Sequence, residues 1–168
     1  MGAKLDRTLL WSPMNLRRDG LPTKIVGKGR VECSGLDATF DLVMRLNPDK
    51  PWEHTSILLH VTSGKNVRRL DLRGSHVDRS TGEQWINRTH KHRWSEADGN
   101  KSVYMPDDIR HVADVPLISS MKDLADEYRE VFEDFTKECL IDLGPAYIWS
   151  DPSYPEVQDT LPTLERYP

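Results

Sequence analysis

The clearest patterning along the chain is alternation of period two. Phe40, Leu42, Met44 and Leu46 alternate with Thr39, Asp41, Val43 and Arg45, as in a strand with one buried face. Residues 24–33 read as its hairpin partner, joined to a strand over 38–46 through Ser34-Gly35-Leu36-Asp37. A second hairpin is predicted from strands 56–62 and 67–73 around Ser63-Gly64-Lys65-Asn66. That loop sets Leu59 opposite Leu70 and Ile57 opposite Leu72 on the core face. His60 then faces Arg69, with Asp71 and Arg73 on the same polar surface. Residues 88–94 predict another strand, with His90, His92 and Trp94 pointing one way and Thr89, Lys91 and Arg93 the other. A short strand is expected over 102–105, ended by Pro106.

The period changes over residues 119–141. Met121, Leu124, Tyr128, Val131, Phe132, Phe135 and Cys139 recur at helical steps, an apolar stripe made to pack on a sheet. Ser120 with Asp123 reads as a capping box, and Gly144-Pro145 stops the helix. The expected fold is α+β: a twisted antiparallel β-sheet of about five to six strands with one long C-terminal helix packed on a face. This single domain would span 23–143. An irregular arm would precede it over 1–22, punctuated by Pro13, Gly20 and Pro22, and a tail rich in proline and aromatics would follow over 144–168.

Composition narrows the picture. The chain has 168 residues, 37% hydrophobic and 30% charged. No apolar run approaches the roughly 18 residues of a membrane span. Its two cysteines, Cys33 and Cys139, form no Cys-x-x-Cys pair, so neither a disulfide framework nor a cysteine-based zinc site is expected, and a cytoplasmic location is. The net charge of −4 is unevenly spread. Residues 1–100 hold 17 basic and 12 acidic side chains, and residues 101–168 hold 6 and 15. Overall acidity is a poor default for nucleic-acid binding. A basic sheet backed by an acidic helix would still present one binding face. The alternative is that the two halves attract each other within the fold.

Pointed chemistry is confined to Arg68–Trp94. This stretch carries His76, His90 and His92, three of the six histidines. Residues 65–93 hold 8 Lys or Arg against 3 Asp or Glu. Such a mixture suits phosphodiester chemistry, in which imidazoles transfer protons and guanidinium groups hold phosphate. The candidate proton-transfer residues are His90, His92 and His76. The candidate phosphate ligands are Arg69, Arg73 and Arg93, although alternation places Arg93 on the face opposite the two histidines. Trp85 and Trp94 are candidates for stacking on a base, and Asp71 between its arginines reads as an ion pair.

His90-x-His92 followed by Glu96 resembles half of the first cupin motif, in which two histidines and a glutamate bind a metal. Gln84 stands where that motif has glycine, no second motif follows, and the predicted strands are too few for a jelly roll. No metal and no cofactor are therefore assigned. The order of elements resembles TumE-type toxins of bacterial toxin–antitoxin systems and related mobile-element proteins. Its counterparts here are Arg69-Leu70-Asp71-Leu72, the Gly74-Ser75-His76 loop, His90-Lys91-His92 and the helix over 119–141. Leu72 stands where that family tends to have Asn, and both terminal extensions are unmatched. The resemblance implies a small cytoplasmic toxin-like or mobile-element protein. Together with the basic, histidine-bearing strands it gives a protein that binds or cleaves RNA, with RNA or a cognate protein as partner. An exposed sheet edge allows a monomer or a homodimer. The alternative is a non-catalytic inhibitor or adaptor that grips a protein partner through its acidic helix and aromatic tail. No membrane partner is expected.

Overall fold

Consecutive strands joined by short connections pair with their neighbours across most of the molecule. The structure, a computed structural model, describes residues 2–78, 81–97, 99–106 and 121–153. The strands are β1 (Ala3–Leu5), β2 (Leu10–Leu16), β3 (Pro22–Cys33), β4 (Phe40–Leu46), β5 (His54–His60), β6 (Lys65–Val77), β7 (Gln84–Ser95) and β8 (Gly99–Tyr104). A 3-10 turn at Lys122–Leu124 leads into α1 (Ala125–Glu138), and β9 (Ile141–Leu143) follows. The sheet runs β8-β7-β6-β5-β4-β3-β1-β9, with β2 also paired to β3. The turn from β2 to β8 is an antiparallel meander, whereas β1 and β9 pair in parallel. No helix among the described residues is long and apolar enough to cross a membrane.

This architecture corrects the expected five to six antiparallel strands with a long helix. Among the described residues nine strands form one mixed sheet, and α1 has 14 residues. The extra strands arise largely from residues 1–22, which hold β1 and β2. Their pattern is masked because β2 exposes Leu10, Met14 and Leu16 and contains Pro13. Proline is tolerated there because β2 pairs only with β3. Gly27 and Gly29 of β3 make the docking possible. A Cβ on Gly27 would meet the Trp11 ring at 2.7 Å, and one on Gly29 would meet Leu5 at 2.8 Å. The helix is shorter because its leading turn is 3-10 and Leu140, at φ 55°, turns the chain into β9. Ser120, the expected cap, lies outside the described residues.

The apolar stripe of α1 packs on one face of the sheet. Tyr128, Val131, Phe132 and Phe135 are buried against a cluster that includes Leu42, Met44, Leu70 and Leu72. The Tyr128 hydroxyl donates to the Pro51 carbonyl at 2.6 Å. The β5–β6 register differs from the expected one. Ser56, not Leu59, lies opposite Leu70, and Thr55 lies opposite Asp71. A slip by three residues exchanges the faces. Ile57 therefore lies beside Arg69 on the face opposite α1, and His60 packs by Phe40 at the far end of the strand, away from Asp71. The slip has two sources: β6 begins already at Lys65, and the ladder is irregular at Leu58/Leu59.

Two buried cations answer the acidic helix. Arg73 makes a bidentate pair with Glu127 at 2.7 and 2.8 Å and donates to the Trp52 carbonyl. Lys91 reaches Glu138 at 2.6 Å. Part of the opposite charge of the two chain halves is thus consumed inside the fold. Removing one partner of a buried pair leaves an unanswered charge, which costs about 3–5 kcal/mol. Glu127→Ala should lower the unfolding free energy by about 3 kcal/mol in urea titrations, and a loss below about 1 kcal/mol would show that water already screens the pair.

Candidate functional site

Two bulges in the β6–β7 ladder build the site. Asp71 pairs with His90, but the next pairing is Gly74 with Arg88, so Leu72 and Arg73 together oppose Thr89. Arg73 takes a left-handed φ of 50° there. The ladder then runs from Gly74–Arg88 to His76–Trp85, which leaves an extra residue on β7, where Asn87 has φ 51°. The Asn87 amide donates to Ser75 Oγ at 3.0 Å. Bulges bend and re-aim a strand pair. Here they bring His76 over the preceding part of the same ladder, with its ring centroid 4.5 Å from that of His90 and 5.2 Å from that of His92.

Asp71 is the hub of the cluster. Thr55 donates to Oδ1 at 2.7 Å, and Arg69 Nε lies 3.0 Å from Oδ1 and 2.8 Å from Oδ2. Nε2 of His90 and Nε2 of His92 each lie 3.2 Å from the same Oδ2. The other nitrogens are committed to the backbone: Nδ1 of His90 donates to the Arg88 carbonyl at 2.8 Å, and Nδ1 of His92 to the Asn100 carbonyl at 3.0 Å. These bonds assign the Nδ1–H tautomer to a neutral ring and aim both Nε2 lone pairs at the carboxylate.

Burial pushes the Asp71 pKa up. Hydrogen bonds that His90 and His92 donate whenever their Nε2 carries a proton, the Arg69 guanidinium and the Thr55 hydroxyl outweigh that effect and hold the carboxyl well below the ordinary range. Burial pushes the His76 pKa down, the neighbouring His90 and His92 rings and Arg69 push the same way, and Asp71 opposes them.

Comparison with protein-family models, curated proteins and solved structures returns no match. The site is therefore read from its own geometry.

Of the residues singled out in the sequence, Arg69, His76, His90 and His92 come together around Asp71. Arg73 does not: its side chain is turned to Glu127 on the helix side. Arg93 is also on the helix side of the sheet, in register with Arg68, and lies over the Tyr104 ring. Glu96 is exposed in the turn after β7 and takes no part; His76 is the third member of the histidine group. Trp85 is buried against His90, and Lys65 covers the Trp94 ring, so neither presents an open stacking surface.

Thr55 was missed because only the true register places it opposite Asp71. Lys24 and Arg45 were missed because they are far away in sequence. Both line a cleft of about 300 Å³ together with Arg69, Asp71, His76 and His90. A second cleft of about 480 Å³ is lined by Arg69, His76, His92, Asn100 and Lys101 among others. Arg69 and His76 are thus common to both.

Gly74 holds the tightest backbone approach in the cluster. A Cβ there would lie 3.0 Å from Asp71 Cβ and 3.3 Å from His90 Cε1. Gly74→Ala should displace His90 and destabilise the fold by about 1–3 kcal/mol, the usual range for overpacking. Imidazole NMR shifts and a urea titration check this; unchanged His90 resonances would show that the contact relaxes without moving the ring.

Proposed function

We propose that the protein binds RNA across the face of its sheet opposite α1 and cleaves a phosphodiester bond at the Asp71–His76–His90–His92 cluster. The observation that carries the reading is the charge on the face leading to the cluster. Lys24, Lys28, Arg30 and Arg45 are exposed there, and Arg69 is half-buried beside Asp71. Two of the anions among them are buried, Asp41 at 1% exposed and answered by Lys28 and Arg30, and Asp71 at 4% exposed and answered by Arg69, while half-buried Glu53 at the cleft edge is paired with Lys50. Glu32, an exposed anion of this face, sits at the other end of β3 beside β1. Clustered cations on one face are what a phosphate backbone recognises, whatever the net charge of the whole chain.

His76 is the imidazole best placed to meet a substrate. It is half-buried and lines both clefts, whereas His90 and His92 are buried with one nitrogen tied to the backbone. Arg69, beside it, is the remaining phosphate ligand of those expected. The adaptor alternative draws less support. Glu127 and Glu138 turn inward, and Tyr147 and Trp149 pack against Phe132.

The test uses a fluorescent single-stranded RNA. Lys24→Glu combined with Arg45→Glu should weaken binding at least about tenfold at low salt and flatten its salt dependence. His76→Ala should retain binding and lose cleavage. An RNA affinity that ignores both charge reversals, or no wild-type binding at low salt, would sink the reading.

A further inference from the structure

We infer that His90 Nε2, His92 Nε2, Asp71 Oδ2 and one ring nitrogen of His76 form a binding site for a divalent transition-metal ion of the zinc class. This deepens the reading above and rests on it only for the location of the centre.

The argument begins with a surplus of acceptors. With Nδ1 of both rings donating to backbone carbonyls, the Nε2 atoms of neutral His90 and His92 carry lone pairs. Both confront Oδ2 of a carboxylate, which also only accepts. His90 Nε2 is buried and has no hydrogen-bond partner, although it lies 3.2 Å from that oxygen. Three lone pairs converging on one buried point require a positive centre between them. Protons would supply it only by making two cationic rings, 5.2 Å apart between centroids and next to Arg69. A single dication satisfies all three while the rings remain neutral.

The spacing fits. Ligand atoms about 2.0–2.1 Å from a tetrahedral zinc lie about 3.3 Å from one another, and the two Nε2-to-Oδ2 separations are both 3.2 Å. One ring nitrogen from each of His76, His90 and His92 lies within 4.8 Å of the others, a group that does not include Asp71, whose Oδ2 meets the His90 and His92 nitrogens alone at 3.2 Å. His76 closes the set from the cleft side and has the most freedom to adjust. The surroundings fit as well. Metal-binding histidines usually give their second N–H to a carbonyl or carboxylate, and a ligating carboxylate is itself hydrogen-bonded. Arg88 O, Asn100 O, Thr55 Oγ1 and Arg69 Nε occupy those outer positions. Imidazole-rich sets with one carboxylate favour zinc, iron, nickel or copper over magnesium or calcium. A bound ion beside Arg69 would add positive charge where the proposed phosphate approaches.

The test loads chelator-treated full-length protein with Zn(II) by calorimetry, and with Co(II) for its visible spectrum. One ion per chain is expected, with a rise in melting temperature on loading. His92→Ala and His76→Gln should each weaken binding at least about a hundredfold, as loss of a ligand does more than the ten- to hundredfold loss of an outer partner. Asp71→Asn should alter the Co(II) bands. His60→Ala, outside the cluster, should bind like the wild type. His76→Gln changes a half-buried residue, so it keeps the test valid if His92→Ala unfolds; apo circular dichroism of each variant checks this. Weak Zn(II) binding that none of the cluster variants changes would overturn the inference. RNA cleavage by metal-free protein that also takes up no Zn(II) or Co(II) would overturn it while leaving the RNA reading intact. A bound ion with the expected variant pattern but no RNA binding would support this site and remove the RNA reading.

Discussion

Asp71 and Arg73 are both buried charges on one strand, and they are answered from opposite faces of the sheet. Simple alternation would put them on the same face. The left-handed Arg73 and the extra β6 residue against Thr89 break that rule. Asp71 stays with the histidines, while Leu72 and Arg73 both go to the helix side, one into the core and one to Glu127. A left-handed non-glycine backbone is strained by about 1–2 kcal/mol. The buried Arg73–Glu127 pair is strong enough to hold it only because its geometry is bidentate and a further bond goes to the Trp52 carbonyl.

The same division organises charge across the whole sheet. Along the chain, basic residues concentrate in the first part and acidic residues in the second. Folding turns that into a difference between faces. The helix brings Glu127 and Glu138 onto Arg73 and Lys91, cations that would otherwise be stranded in the core. The cations of β3 and β4 on the other face meet two strand-position anions, buried Asp41, which Lys28 and Arg30 answer, and exposed Glu32 at the β1 end of β3. The two readings of the charge asymmetry, attraction between halves and a basic face, are therefore compatible. Each describes one side of the sheet.

The places of strands β3 to β7 and the apolar helix stripe were legible because apolar side chains recur at regular spacing, whereas the order of the whole sheet and the β5–β6 register were not. The strands of residues 1–22 were not, because β2 leaves Leu10, Met14 and Leu16 in solvent and carries a proline. For the site, His90 and His92 follow directly from alternation along β7. The placing of His76 beside them depends on two bulges, and nothing in the alternating pattern announces where an extra residue enters a ladder. Arg73 shows the same gap in reverse. Its sequence position looks equivalent to Arg69, and one bulged residue sends it to the other side. Thr55 was hidden by the register, which a turn motif with an irregular strand beside it does not determine.

The cluster's precision comes from the main chain more than from its side chains. His90 is oriented by the carbonyl of Arg88 in its own strand, and His92 by that of Asn100 in β8. Both carbonyls belong to strands of the sheet, so the ring orientations are set once the β7–β8 ladder is paired. Asp71 enters by register with His90, and Thr55 by register with Asp71. Only His76 is delivered by the bulged end of the hairpin. A site held in this way is fixed before any ligand arrives, except at the member that lines both clefts. That division suits a centre in which buried groups hold position and one accessible group meets what enters.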